Sequence, residues 1–149
     1  MTKYKSIIIE DIPTANGRIY KKGTLQKIKD FLTSDILNKR CFATFGMVDE
    51  DTTIDELISR GQVAGLVSSF DIINGQAVLD IELLPTDSGR NLKTFEEIYG
   101  EELPFELKVN FSILGTVSEK QNEYGFHYVN ISEIKPYVNI IKINGVIEE

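Results

Sequence analysis

The chain has 149 residues, a net charge of −7, and 42% hydrophobic and 26% charged residues. This length and composition predict one packed domain over residues 1–149 and exclude a globally disordered chain. The acidic balance argues against general nucleic-acid binding, because such binding requires a basic surface that displaces counterions. No apolar run approaches the roughly 20 residues that span a bilayer, and the apolar stretch after Met1 is too short for a secretory signal. We therefore expect no membrane partner and a protein that is made in the cytoplasm.

Strands and helices alternate in the first part of the sequence. Residues 4–10 are rich in β-forming side chains and predict a first strand. Thr24 is the predicted N-cap of a helix whose apolar residues recur at helical spacing, namely Leu25, Ile28, Phe31 and Leu32. A second strand is predicted over residues 41–48. Thr53 and Glu56 match a capping box, which predicts a short helix to about Ser59.

The rest of the chain adds a hairpin, a third helix and more strands. Asn74 and Gly75 form the favoured pair for a tight turn between strands over residues 63–73 and 76–84. A helix is predicted from Asp87 or Ser88, with Gly100 as its stop. Further strands are predicted over residues 105–117, 126–134 and 137–143, with Pro136 between the last two. We expect an α+β domain, with an antiparallel, barrel-like sheet of about seven strands and about three flanking helices.

Three segments carry a resemblance to a known family. They are Asn-Gly-Arg-Ile-Tyr at residues 16–20, the run from Val63 to Lys93, which includes Leu-Leu-Pro-Thr-Asp-Ser-Gly-Arg at residues 83–90, and Phe-Ser-Ile-Leu-Gly at residues 111–115. Their order and spacing resemble the prohead (capsid maturation) proteases of tailed phages, which share a fold with the herpesvirus assemblins. The resemblance spans roughly residues 4–140. It implies a closed β-barrel wrapped by helices and a role in the phage capsid.

The catalytic positions that the resemblance points to are changed in this sequence. Ser112 keeps the family's serine, whereas Met47 and Gly65 stand at two histidines and Leu114 stands at an arginine. A serine hydroxyl needs a base that takes its proton, and neither methionine nor glycine accepts one. His127 is the single histidine, and we expect it to be structural, with a displaced base as the alternative. The sequence therefore predicts no catalytic residue and no enzyme, with Ser112 and His127 as the runner-up pair.

No pattern in the sequence points to a cofactor or a metal. There is no phosphate-binding loop, no dinucleotide glycine fingerprint and no cysteine–histidine cluster. The turn of Asp49, Glu50 and Asp51 lacks the ligand spacing and the glycine of a calcium-binding loop, so we expect a solvated turn. Cys41 is the single cysteine and is expected to be a small buried residue. We predict no cofactor and no metal.

Two surface segments are the predicted binding surface. The first comprises Asn16, Gly17, Arg18 and Lys27, in a turn and a lysine-rich helix that offer a docking surface for an acidic partner; the second comprises Asp49, Glu50 and Asp51. The resemblance implies a non-catalytic virion protein that decorates or cements the capsid and binds the major capsid protein or other virion proteins. Self-association and a location in the virion belong to this hypothesis. Two alternatives are an active prohead serine protease with a rearranged site that processes capsid or scaffold proteins, and a soluble assembly regulator absent from the mature virion.

Overall fold

The computed structural model describes residues 2–14, 17–49, 51–99, 106–118 and 121–143. In these ranges the strands are β1 (Thr2–Ile9), β2 (Arg18–Ile19), β3 (Phe42–Phe45), β4 (Val63–Ile73), β5 (Gln76–Leu83), β6 (Glu106–Val117) and β7 (His127–Ile143). The helices are α1 (Thr24–Leu37), α2 (Ile54–Ser59) and α3 (Asp87–Tyr99). The predicted elements are thus present, and the α+β class is confirmed. The predicted stop at Gly100 lies outside the described residues.

Six of the strands close into a barrel. Their order is β7-β3-β4-β5-β1-β6, and pairing between β6 and β7 completes the ring. The short β2 lies outside the ring and pairs in parallel with the start of β7. The expected sheet of seven antiparallel strands is therefore wrong in two details, because the ring has six strands and because β1–β6 and β3–β7 are parallel pairs. These pairs join strands far apart in the chain, and local turn signals do not specify such pairings.

Local signals succeed at the hairpin and at α2, and they fail at the start of α1. Asn74 and Gly75 both have positive φ, as the tight turn requires. The capping box of Thr53 and Glu56 is formed as predicted. The N-cap of α1 is Gly23 and not Thr24. Glu10 caps the helix instead, because its Oε2 accepts hydrogen bonds from the backbone N–H groups of Gly23 at 2.8 Å and Leu25 at 3.0 Å.

The two strands predicted on either side of Pro136 are one continuous strand, β7, of 17 residues. The β6–β7 register is irregular at this point, because Phe111 pairs with Val138 while Ile113 pairs with Ile134. An advance of two residues along β6 therefore corresponds to an advance of four residues along β7. Proline donates no backbone hydrogen bond, and an irregularity of this kind is where a sheet accepts it.

Apolar side chains fill the barrel and one patch outside it. Fully buried core residues include Leu25, Ile28 and Leu32 from α1, which packs on the barrel as its spacing predicts, whereas Phe31 of the same predicted face is 41% exposed. A smaller cluster forms where α2 covers the outer face of the sheet. Its buried members are Leu57, Val63 and Tyr137, with Phe42, Val48, Ile54 and Leu84 packed against them. This second cluster holds the segment between β3 and α2 over the outer face of β7.

Candidate functional site

Ser112 lies on the outer face of the barrel strand β6. Val109 and Phe111 are 0% and 4% exposed and belong to the core. Because side chains alternate along a strand, Asn110 and Ser112 point to the opposite, outer face. Ser112 is half-buried, and no partner to its hydroxyl is found among the described residues. The side chain of Leu114, two residues further on, lies outside the described part of the structure.

Met47, which stands at one expected histidine, reaches the face that carries Ser112. The Nδ2 atom of Asn110 lies 3.6 Å from the Sδ atom of Met47, and Asn110 is about 7 Å from Ser112 along the strand. Met47 is 63% exposed, and it lines a groove of about 410 Å³ with Phe45, Gly46, Ile141 and Lys142. An imidazole at this position would lie beside the Ser112 face, but a thioether takes no proton.

Gly65, at the second expected histidine, is enclosed by backbone. A Cβ atom there would lie 2.5 Å from the carbonyl oxygen of Glu82 and 2.8 Å from Cγ2 of Ile81. Gly65 sits in the middle of the sheet, paired with Ala43 on β3 and Leu83 on β5. Glycine is therefore required at this position by packing. No side chain, including that of histidine, fits there without a shift of the β4–β5 ladder.

The structure does not bring Ser112 and His127 together. Val117 pairs with Val129, so His127 lies beyond the paired end of β6, roughly 20 Å from Ser112 at the rise of a strand. The Nδ1 atom of His127 is 2.7 Å from the carbonyl oxygen of Ser118, and its backbone N–H donates to the carbonyl of Gly17 at 2.9 Å. His127 thus ties the starts of β2 and β7 to the end of β6.

The residues opposite Ser112 come from the irregular part of β7. Because the register skips from Val138 to Ile134, the three residues Lys135 to Tyr137 occupy the part of β7 that corresponds to the single residue Ser112 on β6. Ile134 and Val138 are buried in the core, so alternation places Lys135 and Tyr137 on the outer face with Ser112. Tyr137 is 2% exposed, and its hydroxyl is a buried group with no hydrogen-bond partner in the described structure. Such irregularities are frequent next to active sites.

The predicted binding residues lie on separate elements. Asn16 and Glu50 lie outside the described residues, and Gly17 and Arg18 lead into β2. Asp49 and Asp51 are exposed in the turn before α2. Lys27 lies in a groove of about 260 Å³ that is lined by Lys21, Lys22, Gly23, Thr24, Lys27, Val129, Asn130 and Ile131. The groove joins Lys27 to two lysines that the prediction left out, although their adjacency in sequence was a signal.

Cys41 and the acidic side chains offer no further site. Cys41 is 1% exposed, and burial together with Asp35 raises the pKa of its thiol to about 12, so the reactive thiolate is suppressed. Over the described ranges, no three histidine, cysteine or acidic side chains converge in a way that holds a metal ion. The helices in the same ranges include none that is long and apolar enough to cross a bilayer.

Comparison with known proteins identifies the fold. No protein-family model and no curated protein sequence matches the chain. A solved structure, that of the bacteriophage T4 capsid assembly protease gp21, is similar with a TM-score of 0.70 and 16% sequence identity, over 93% of this chain and 80% of that chain. At this identity the likeness shows the fold. The resemblance drawn from three short segments is confirmed as a prohead-protease-like fold.

The prediction that the chain is not an enzyme is contradicted by this comparison. The similar structure is that of a capsid assembly protease. The prediction relied on the loss of histidines at Met47 and Gly65. The absence of histidine excludes a histidine base at these two positions only. Lys135 and Tyr137 lie in the part of β7 that corresponds to Ser112.

Proposed function

We propose that the protein is a serine peptidase that acts in assembly of a tailed-phage capsid, with Ser112 as its nucleophile. The observation that carries the proposal is the similarity to the T4 capsid assembly protease over 93% of the chain. The position of Ser112 supports it, because a half-buried hydroxyl on the outer face of the barrel is accessible to a peptide. A hydroxyl held by no other group is also free to hydrogen-bond to a base.

Lys135 is the residue that we assign as the base. It lies in the part of β7 that corresponds to Ser112, at the irregularity of the register, and a lysine stem is long enough to bring its amine to a residue on the neighbouring strand. Serine–lysine pairs are a recurrent variant of the serine triad.

The reaction follows from these assignments. The side-chain nitrogen of Lys135, acting as general base, takes the proton of Ser112 Oγ as this oxygen attacks the carbonyl carbon of a peptide bond. The tetrahedral intermediate breaks its C–N bond, and the ammonium returns the proton to the departing amine nitrogen. Water then hydrolyses the acyl ester by the same proton transfers and regenerates the serine.

The substrates and partners belong to the same proposal. We expect the protein to act on or bind the major capsid protein, scaffold or other virion proteins, and to associate with the capsid. A cementing role additionally requires that the protein remain in mature particles in stoichiometric copies. Quantifying the chain in purified mature particles separates this role from one confined to immature heads.

The test of the proposed function is cleavage of the capsid and scaffold proteins that are encoded with this chain. Purified wild type, S112A, K135M and the exposed-serine control S59A are incubated with these proteins, and fragments are identified by mass spectrometry. We expect S112A to lose at least about 10³-fold in rate and K135M at least about 10²-fold, while S59A matches wild type. Cleavage by S112A at the wild-type rate would overturn the assignment of the nucleophile. Full activity of K135M together with an inactive S112A would overturn only the assignment of Lys135 as the base.

A further inference from the structure

Three lysines form a cationic groove on a chain that is acidic overall. Lys21, Lys22 and Lys27 line the groove of about 260 Å³ between the start of α1 and the β7 residues Val129 to Ile131. The chain has 23 acidic and 16 basic residues, yet none of these three lysines forms a salt bridge within the described residues. All three are exposed. Charges of one sign gathered in this way attract a ligand of the opposite sign.

The backbone that carries the lysines is held in place by the nearby acids. The carboxylate of Asp11 accepts from the backbone N–H of Lys22 at 3.2 Å, and Glu10 occupies the N–H groups at the start of α1. The helix terminus is therefore already satisfied and is not the ligand site. The ammonium of Lys21 lies 4.3 Å from the centre of the Tyr128 ring, which fixes its direction by a cation–π contact. The groove thus presents two ammonium groups from a positioned turn and a third, that of Lys27, from α1.

We propose that this groove docks an acidic peptide segment of a partner protein. Its volume lies below the roughly 300 Å³ at which small-molecule sites begin, so it fits a few side chains of an extended segment. The three lysines are confined to one short groove on a chain of net charge −7, so this surface matches a short acidic segment and not the long phosphate backbone of a nucleic acid. A short peptide places its carboxylates on the three lysines and its apolar atoms against the half-buried Val129. The surface is independent of Ser112 and of proteolysis.

The test measures binding of a labelled peptide of about eight aspartate and glutamate residues by fluorescence anisotropy at low salt, where electrostatic contacts are least screened. The variant K21E/K22E/K27E reverses the charge of the groove. The variant K5E/K39E/K93E makes the same change in net charge at exposed lysines elsewhere on the surface. We expect the first to lose at least about tenfold in affinity and the second less than about threefold. S112A is expected to bind as wild type does, so failure of docking and failure of catalysis are distinguished.

Two controls complete the design. Thermal unfolding of both triple variants verifies that each is folded, and a peptide of asparagine and glutamine with the same length is expected not to bind. Equal losses in the two triple variants, or no binding by the wild type at low salt, overturn the proposal. Tighter binding of a single-stranded DNA of similar length than of the acidic peptide overturns it as well.

Discussion

The side-chain amide of Asn110 on β6 lies 3.6 Å from the sulfur of Met47, which follows β3. These residues are 63 positions apart in sequence, and their contact closes one side of the face that carries Ser112. The fold thus places the side chain of Met47 beside the outer face that carries Ser112. A thioether accepts no proton, and Gly65, the second position at which the resemblance expects a histidine, has no room for a side chain.

Histidine at position 47 is expected to rescue a variant that has lost its base. In the double variant K135M/M47H, an imidazole lies beside Ser112 with the Asn110 amide available to orient it. We expect peptide cleavage at least about tenfold faster than by K135M, with a pH dependence near 6.5 that reports the imidazole. Met47 is 63% exposed, so the substitution disturbs little packing.

The matched control for this rescue is K135M/M47L, which fills the same position without an acceptor. Its rate is expected to equal that of K135M. If the histidine and leucine double variants cleave at the same rate while both are folded, position 47 does not serve Ser112.

Alanine at position 65 is expected to destabilise the barrel. Its Cβ atom would lie 2.5 Å from the carbonyl oxygen of Glu82. Relieving this clash requires a shift of the backbone in hydrogen-bonded strands, which is destabilising. We expect a loss of about 3 kcal/mol or more in the free energy of unfolding, measured by urea denaturation. The comparison variant is G23A, where φ is +97° but nothing lies within 4 Å, so its cost is limited to about 1–2 kcal/mol of backbone strain. If G65A loses no more free energy of unfolding than G23A, the β4–β5 strand pair accommodates the added Cβ atom and this prediction is wrong.

The sequence predicts elements well where the signal is local. The Asn74–Gly75 turn and the capping box of Thr53 and Glu56 act over a few residues, and both formed as predicted. The parallel pairs of the barrel were not predicted, because each depends on contacts between distant strands. Pro136 was read as a break between strands, whereas the irregular register of β7 absorbs it.

Removal of the Glu10 carboxylate is expected to loosen the start of α1. Its Oε2 atom accepts from two N–H groups that have no other helical acceptor. We expect E10A to lose about 1–2 kcal/mol in the free energy of unfolding and E10Q less, since an amide oxygen still accepts. The exposed α3 variant E97A controls for loss of charge. Equal stability of E10A and E97A would contradict this assignment.

The stability contributed by Asp80 is expected to depend on pH. The hydrogen bond from Ser69 at 2.9 Å lowers the pKa of this carboxyl, and Lys3 at 3.1 Å lowers it further. A carboxyl with a lowered folded-state pKa stabilises the fold above its unfolded value of about 3.9, and the contribution is lost as pH falls through the folded-state pKa. Thermal unfolding of D80N should therefore show a deficit at pH near 7 that vanishes in strong acid. A deficit of the same size at both pH values would contradict the assignment, with D71N as the control on β4.

The candidate site was only partly predictable from the sequence, because it too depends on the register between strands that no local motif specifies. Ser112 was found because it lies within a recognisable segment. Lys135 and Tyr137 belong to no motif, and they face Ser112 only because β7 has two extra residues there. His127 was paired with Ser112 because it is the single histidine, yet the β6–β7 register keeps the two apart. Residue identity alone does not give proximity.

Covalent labelling shows whether Ser112 is an activated nucleophile. The wild-type protein is treated with a fluorophosphonate, which reacts with activated serines, and the modified residue is located by mass spectrometry. We expect a single phosphonylated serine at position 112, which is absent from S112A and is suppressed by an excess of the proposed capsid or scaffold substrate. A folded wild-type protein that remains unlabelled, or a label that persists in S112A, would contradict it.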